Sequence, residues 1–456
     1  MSEHALPTTL PAWLVRLEAA HPVGIDLGLD RVAEVARRMG LFEAPPAARV
    51  ITVAGTNGKG STVAMLEALA QAHGLTTATY TSPHLLDYNE RLRLNGRQAD
   101  DATLIAGFEA VEAARLKGEP ISLSYFEMGT LGALWAIARQ RPALAILEVG
   151  LGGRLDAVNV IDPDVAVITT VAQDHAAFLG NDLDGIGREK AGILRSGRPA
   201  VLGSTTLPAS VRQVAEELGA DVYALGEAFQ REGDGEDWSF WGQTPGYLGS
   251  DPKAYFGAGG RIMLTDLPDP GLPLDNAASA LQALALAGVS LEAAVCRQAL
   301  ATVRLPGRMQ WLGPWCLDVG HNPHAAAYVA QRLAARPCAG RTVALIGMLA
   351  DKDADGVIAA LAPAVEAWVP VSLEGERARS ADDLADRLAH QGALVWSRGD
   401  SPAEAADWLL AHLAPEDRVL VCGSFFTVAA VLAWHQAGTP SAVTTAEHAM
   451  RSEEAR

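Results

Sequence analysis

The chain has 456 residues, 49% of them hydrophobic, which is enough for two or three domains each with its own core. Its 54 acidic residues against 36 basic ones leave a formal charge of −18. That balance opposes non-specific attraction to nucleic acid or anionic lipid, so any anionic substrate must meet a locally basic site. Cys296, Cys316, Cys338 and Cys422 form no C-x-x-C pair, which argues against a disulfide framework or a zinc knuckle and fits a reducing compartment. The opening "MSEHALPTTLPAWL" lacks the basic start and apolar centre of a signal peptide, and no apolar run is long enough to span a bilayer. A cytoplasmic protein is expected.

In chain order, short β-rich runs alternate with longer helical patterns, the signature of an α/β architecture with parallel strands. "RVITVAG" (49–55), "TTATYTS" (76–82), "ALAILEVG" (143–150) and "DVAVITTVA" (164–172) are candidate buried strands of one doubly wound sheet. Between the first two, residues 61–73 repeat apolar positions at helical spacing, and Gly74 stands ready to close the helix. From about 226 to 272 the pattern breaks into Gly-, Asp- and Trp-rich sequence, read as antiparallel hairpins or long loops. Helical sequence returns at 275–302, and "RLPGRMQWLG" is expected to connect two domains. A second βα series follows, with strands expected at 315–320, 341–347, 367–371, 393–396 and 418–423. The reading is an N-terminal P-loop domain with a doubly wound parallel sheet over 1–304, a smaller Rossmann-like α/β domain over 305–438, and a flexible tail over 439–456.

"VAGTNGKGST" at 53–62 lies between a strand and a helix, where a phosphate loop belongs, yet it departs from G-x-x-x-x-G-K-[ST] twice: Val53 replaces the first glycine and Gly60 follows Lys59. Gly55, Gly58 and Gly60 let the backbone N–H groups of a helix N-terminus approach phosphate oxygens, and Lys59 adds a point charge. The plain alternative is a Gly-rich turn with a solvated lysine. Ser82, Glu148 and His175 follow or close three other strands, and in an open parallel sheet ligands bind beyond the carboxyl ends of the strands. Hydroxyl, carboxylate and imidazole can together hold Mg²⁺, although a lone His is more often structural. "EVGLGGRLDAVN" (148–159) reads as a flexible turn or a substrate loop, and "REKAGI" puts Lys190 in a helix nearby. In the second block Arg308, Asp318, His321 and Asn322 suit contact with a nucleotide held between two domains, while Asp318 and Asn322 would also serve as caps.

Together, "GTNGKGS", "TSPHL", "SLSYFEMGTLGALW", "EVGLGGRLDAVN", "REKAGI", "LPGR", "DVGHNPHAA", "IGMLADKD" and "VCGSF" resemble the bacterial folylpolyglutamate synthases of the Mur ligase superfamily, in their bifunctional dihydrofolate synthase form. The resemblance runs from about 26 to 429 and weakens only between 226 and 272. It implies that Thr56, Asn57, Gly58 and Lys59 grip the phosphates of ATP and that Asn276, Arg308 and Asp318 contact the nucleotide. Ser82, Glu148 and His175 would bind Mg²⁺, two ions in all, and Lys190 would carry a carbamate. Lys59, Lys190 and His321 are the catalytic candidates. A pterin pocket would draw on Asp26, Leu27, Gly28, Ser124, Tyr125, Phe126, Glu127, Leu155, Asp156 and Ala157, with Ser124 standing where close relatives often have Thr. Asp26 and Asp156 could equally be surface or capping residues. The implied partners are dihydropteroate, reduced folates, L-glutamate and ATP, on a monomer that binds neither nucleic acid nor membrane. A muramyl-peptide or cyanophycin-type ligase is disfavoured by the pterin motifs and the length. A P-loop switch is disfavoured because Glu148 stands where a Walker B aspartate would.

Overall fold

The structure, a computed structural model, describes residues 6–20, 27–173, 180, 182–244, 260–375 and 377–438. Two units, Met1–Leu305 and Pro306–Arg456, each have their own sheet. The expected tail, 439–456, lies outside the described residues.

In the N-terminal unit, β1 (Val50–Ala54), β2 (Thr77–Tyr80), β3 (Leu92–Leu94), β4 (Arg97–Gln98), β5 (Leu144–Glu148), β6 (Val165–Ile168), β7 (Pro199–Leu202) and β8 (Asp221–Ala224) form one sheet in the order β4-β3-β2-β5-β1-β6-β7-β8. The six strands from β2 to β8 run parallel, and β3 and β4 are antiparallel additions at one edge. Every residue of β1, β5 and β6 is buried, because helices cover both faces of a parallel sheet. Ile51, Val53, Leu144 and Ile146 point to one face, where they pack with α3 (Lys59–Ala72) and the helices Leu274–Leu286 and Ala293–Thr302. Ala145 and Leu147 point to the other face, which is filled by Trp13, Val35, Phe108 and Leu131 from α1 (Leu10–Ala19), α2 (Asp30–Arg38), α4 (Asp101–Arg115) and α5 (Tyr125–Gln140). This period-2 division puts the two core clusters on opposite sides of the same strands.

Register sets the functional edge. Val53 lies opposite Glu148 on one side and Val167 on the other, and Tyr80 lies opposite Leu147. Four adjacent strands, β2, β5, β1 and β6, therefore end at one level.

Two expectations change, and for the Trp-rich region the antiparallel alternative holds. The strand expected over 164–172 stops at Ile168, because residues 169–172 turn away to bond the phosphate loop. The helix expected from residue 61 starts at Lys59, since Gly58 takes a left-handed φ of +87° that delivers the chain directly into its first turn. The Trp-rich region holds a three-stranded antiparallel sheet of β9 (Gln230–Glu232), β10 (Trp238–Gln243) and β11 (Arg261–Leu267), with Trp238 and Phe240 facing the core of the helix Leu274–Leu286.

In the C-terminal unit, β12 (Gln310–Leu312), β13 (Trp315–Leu317), β14 (Thr342–Ile346), β15 (Ala367–Pro370) and β16 (Arg418–Cys422) are ordered β12-β13-β16-β14-β15, all parallel except β12. The expected connection "RLPGRMQWLG" thus contains β12, which hairpins onto β13. The expected strand 393–396 is reduced to an isolated bridge at Val395, since Trp368 alone exchanges backbone bonds with it. Among the described residues no helix is long and apolar enough to cross a membrane.

Candidate active site

The segment that follows β6 holds the phosphate loop in shape. Thr56 N–H donates to the Thr170 carbonyl at 2.7 Å, and the Thr56 hydroxyl donates to the Ala172 carbonyl at 3.1 Å while accepting from Ala172 N–H at 3.0 Å. Asn57 is gripped twice by Thr170, whose hydroxyl accepts from Asn57 N–H and donates to its carbonyl, both at 3.0 Å; the Thr169 hydroxyl also donates to that carbonyl at 2.6 Å. A Cβ on Gly55 would lie 1.9 Å from Thr169 Oγ1, so only glycine allows this approach. A Cβ on Gly58 would lie 2.6 Å from Nδ2 of Asn276, a buried residue whose amide donates to Ser61 Oγ at 2.8 Å. Asn276 thereby braces the loop from the helix Leu274–Leu286. Lys59 Nζ donates to the Gly55 and Thr56 carbonyls at 3.0 and 3.3 Å, which keeps the cation over the loop. Thr169, Thr170 and Ser61 were not singled out from the sequence; two consecutive threonines at the end of an apolar strand were the available signal.

Glu148 closes β5 with 5% of its surface exposed, and both its carboxylate oxygens lie 3.9 Å from where a Cβ on Gly60 would sit. A carboxylate thus faces the first turn of α3. Ser82 follows β2, the neighbour of β5, and among the described residues its hydroxyl makes no hydrogen bond. The third expected ligand, His175, lies outside the described residues, and among those described no group of three or more His, Cys, Asp or Glu converges. A buried carboxylate and an uncommitted hydroxyl beside a phosphate loop are hard oxygen donors, and they fit Mg²⁺.

The segment 150–157 docks on the helix Leu183–Ala191, which carries Lys190, itself 3% exposed. Arg154 donates from its backbone to the Glu189 carbonyl at 2.8 Å and from its guanidinium to the Glu189 carboxylate at 2.7 Å. Gly153 permits the contact, because a Cβ there would meet Glu189 O at 2.7 Å and Lys190 Cα at 3.1 Å. Asp156 is buried and accepts from Leu151 N–H at 2.8 Å and Val158 N–H at 2.9 Å. Burial pushes its carboxyl up to about 6, against the pull of the backbone N–H groups of Leu151, Val158 and Gly150 and of the Lys59 cation. An ionised carboxylate has about four acceptor positions, so three backbone donors leave capacity for about one more.

Ser124 and Glu127 form a capping box at the start of α5: Ser124 N–H donates to Glu127 at 2.7 Å, and Glu127 N–H to Ser124 Oγ at 3.3 Å. Arg31, absent from the sequence reading, donates to the other Glu127 oxygen at 2.9 Å and ties α2 to this corner. Tyr125 and Phe126 follow, half-buried, and a Cβ on Gly150 would lie 2.6 Å from Phe126. The structure therefore brings Phe126 up to the segment that carries Leu155, Asp156 and Ala157. Leu27 and Gly28 precede α2 and are half-buried, and Asp26 lies outside the described residues.

Within the C-terminal unit, Asp318 is buried just past β13 and accepts from Met309 and Gly320 N–H groups at 2.9 and 2.8 Å. Burial raises its pKa, opposed by the nearby Arg308 cation and those two donors. The Arg308 guanidinium lies 5.1 Å from the centre of the Phe425 ring, and the His321 ring lies 6.3 Å from it, so Phe425 joins residues from two loops. His321 Nδ1 is 2.9 Å from the Val319 carbonyl, and Asn322 caps the helix Pro323–Ala334. Phe425 was quoted in the sequence only as part of a motif.

Residues 53–231 match the Mur ligase middle domain and residues 307–425 the Mur ligase glutamate ligase domain. The dihydrofolate synthase/folylpolyglutamate synthase of Escherichia coli strain K12 is 43% identical over 426 residues, covering 93% of this chain and 94% of that protein. The structure of E. coli FolC in complex with DHPP and ADP is similar at a TM-score of 0.85 and 43% identity, covering 94% of this chain and 98% of that one. A bifunctional folylpolyglutamate synthase/dihydrofolate synthase structure with Mn, AMPPNP and L-glutamate bound is similar at a TM-score of 0.82 and 43% identity, covering 93% and 98%. With this similarity extending along nearly its whole length, the chain belongs to the dihydrofolate synthase/folylpolyglutamate synthase family of Mur ligases.

Proposed function

We propose that this chain is an ATP-dependent C–N ligase that joins L-glutamate to dihydropteroate, giving dihydrofolate, and adds further glutamates to reduced folates. The observation that carries the reading is the placement of the Glu148 carboxylate at the first turn of α3, beside a phosphate loop closed by Thr169 and Thr170. Relatives whose structures hold ADP, AMPPNP, Mn, DHPP and L-glutamate support it.

The chemistry follows from the poor leaving ability of oxide. A substrate carboxylate oxygen bonds to the γ-phosphorus of ATP as the bond to ADP breaks; the amine of glutamate then attacks the acyl carbon, phosphate leaves, and the nitrogen loses a proton. Backbone N–H groups of Gly58, Lys59 and Gly60 bind and orient the phosphates, Thr56 and Asn57 complete the grip with their own N–H groups held by Thr170, and Lys59 offsets the phosphate charge. Ser82, Glu148 and His175 would hold Mg²⁺, two ions in this proposal, which when bound neutralises charge on the transferring phosphoryl group. Asn276 and Arg308 contact the nucleotide. Asp318, whose two oxygens already take backbone donors, holds the Arg308 segment as well as contacting the nucleotide. His321, with Nδ1 2.9 Å from the Val319 carbonyl, is the further catalytic candidate.

Lys190 is buried, and its amine can add CO₂ and release a proton, giving a carbamate with oxygen donors for the metal. The pterin is taken by Asp26, Leu27 and Gly28, by Ser124–Glu127 and by Leu155–Ala157. In that set, Phe126 and Tyr125 supply aromatic surface and Asp156 a hydrogen-bond acceptor. Ser124 and Glu127 contribute chiefly by fixing the start of α5. A cytoplasmic monomer completes the proposal. The test is ADP release from ATP: it should require dihydropteroate and L-glutamate together, or tetrahydrofolate and L-glutamate together. ADP release with neither acceptor would favour a switch-like ATPase.

A further inference from the structure

The loop from Thr81 to Asp87 is held by two consecutive residues, Glu90 and Arg91. The Arg91 carbonyl accepts from Thr81 N–H at 2.9 Å and the Glu90 carbonyl from the Thr81 hydroxyl at 3.4 Å. Farther along, Arg91 Nε donates to His84 Nδ1 at 2.9 Å. The Glu90 carboxylate then takes three consecutive backbone donors, Leu85, Leu86 and Asp87, at 2.7, 2.7 and 2.8 Å. Arg91 is itself fixed: it is 8% exposed, with its guanidinium 5.1 Å from the Tyr88 ring centre and 5.6 Å from that of Tyr125. Ser82 sits between the gripped residues Thr81 and His84 and makes no hydrogen bond of its own among the described residues. Its oxygen is therefore placed by the loop and not by its own side chain.

We infer that Glu90 is a positioning residue for the divalent-ion site, because its carboxylate sets the course of the loop that places Ser82 Oγ. The inference rests on the ligase reading above, in which Ser82 is a metal ligand. Three successive N–H groups turned to one point make a concavity suited to an anion. Charge-assisted bonds from them are about twice as strong as neutral ones. Glutamine cannot replace the carboxylate, since it keeps one acceptor oxygen and turns an N–H₂ group toward backbone donors. A neutral hydroxyl is a weak ligand, so its contribution depends on its being in place beforehand. Loss of such an outer partner typically costs about 10- to 100-fold in metal affinity.

The test is Mn²⁺ binding to the enzyme in the presence of AMPPNP, read as free Mn²⁺ by electron paramagnetic resonance, for wild type, Glu90→Gln, Ser82→Ala and the double variant. The expected result is that each single change weakens Mn²⁺ binding about tenfold or more and that the double variant binds no worse than Ser82→Ala. Should Glu90→Gln fail to fold by circular dichroism, Glu90→Asp, which keeps the charge but shortens its reach, enters the same cycle. An unchanged affinity in the Glu90 variant overturns the inference, as does an equal further loss when it is added to Ser82→Ala, which would mark a general structural effect. An unchanged affinity in Ser82→Ala overturns the inference together with the assignment of Ser82 as a ligand, whereas a Glu90 failure alone leaves that assignment standing.

Discussion

Replacing Glu148 by Gln keeps the shape of the buried side chain and removes one negative charge from the edge where the phosphate loop begins. Turnover should fall by on the order of a hundredfold or more, equivalent to about 3 kcal/mol of barrier, with an unchanged circular dichroism spectrum. Steady-state rates at ordinary Mg²⁺ check this, and a near-normal rate would remove Glu148 from the site. Lys190→Ala should lose activity and recover part of it with formate, a small carboxylate able to stand in for the carbamate oxygens; no recovery at any formate concentration would count against the modification. Asp156 gives a pH signature. With its carboxyl near pH 6, ionised carboxylate prevails above that pH, and acidification through it converts an acceptor into a donor. KM for dihydropteroate should therefore rise as pH drops from 7 to 5, while KM for tetrahydrofolate changes little; parallel profiles would show that Asp156 does not separate the two acceptors. The sequence marked Asp156 as polar in a loop, but its engagement with Leu151 and Val158 depends on how the segment folds back, which no spacing encodes.

At the scale of elements, the phosphate loop depends on a strand end that the sequence disguises. The β-branched run "VAVITTV" reads as continuous strand, yet the strand ends at Ile168, and Thr169 and Thr170 spend their hydroxyls on Asn57. Thr170→Val keeps the shape and deletes two hydrogen bonds, worth about 1–3 kcal/mol together, so AMPPNP affinity measured calorimetrically should drop roughly 5- to 100-fold while the fold persists. An unchanged affinity would mean that the loop is shaped without this strand end. The buried strands, α3 and its closing Gly74 were legible because apolar periodicity and glycine punctuation report them directly. β12 was not, since three half-buried residues in a Pro- and Gly-containing stretch carry no periodic signal. Nor was the failure of 393–396 to extend β15, which depends on the partner strand.

For the whole molecule, alternating βα patterns were enough to read two α/β units. The order of the strands that brings Ser82, Glu148 and the phosphate loop to one edge follows from β5 inserting between β1 and β2, a pairing set by packing over long sequence separations. The central claim, that a carboxylate is activated by ATP before an amine attacks it, has a direct test. Dihydropteroate labelled with ¹⁸O in both carboxylate oxygens is turned over with ATP and L-glutamate, and the released phosphate is analysed by mass spectrometry. The account predicts one ¹⁸O in each phosphate, the other staying in the amide. Phosphate without ¹⁸O, released in step with dihydrofolate, would contradict it.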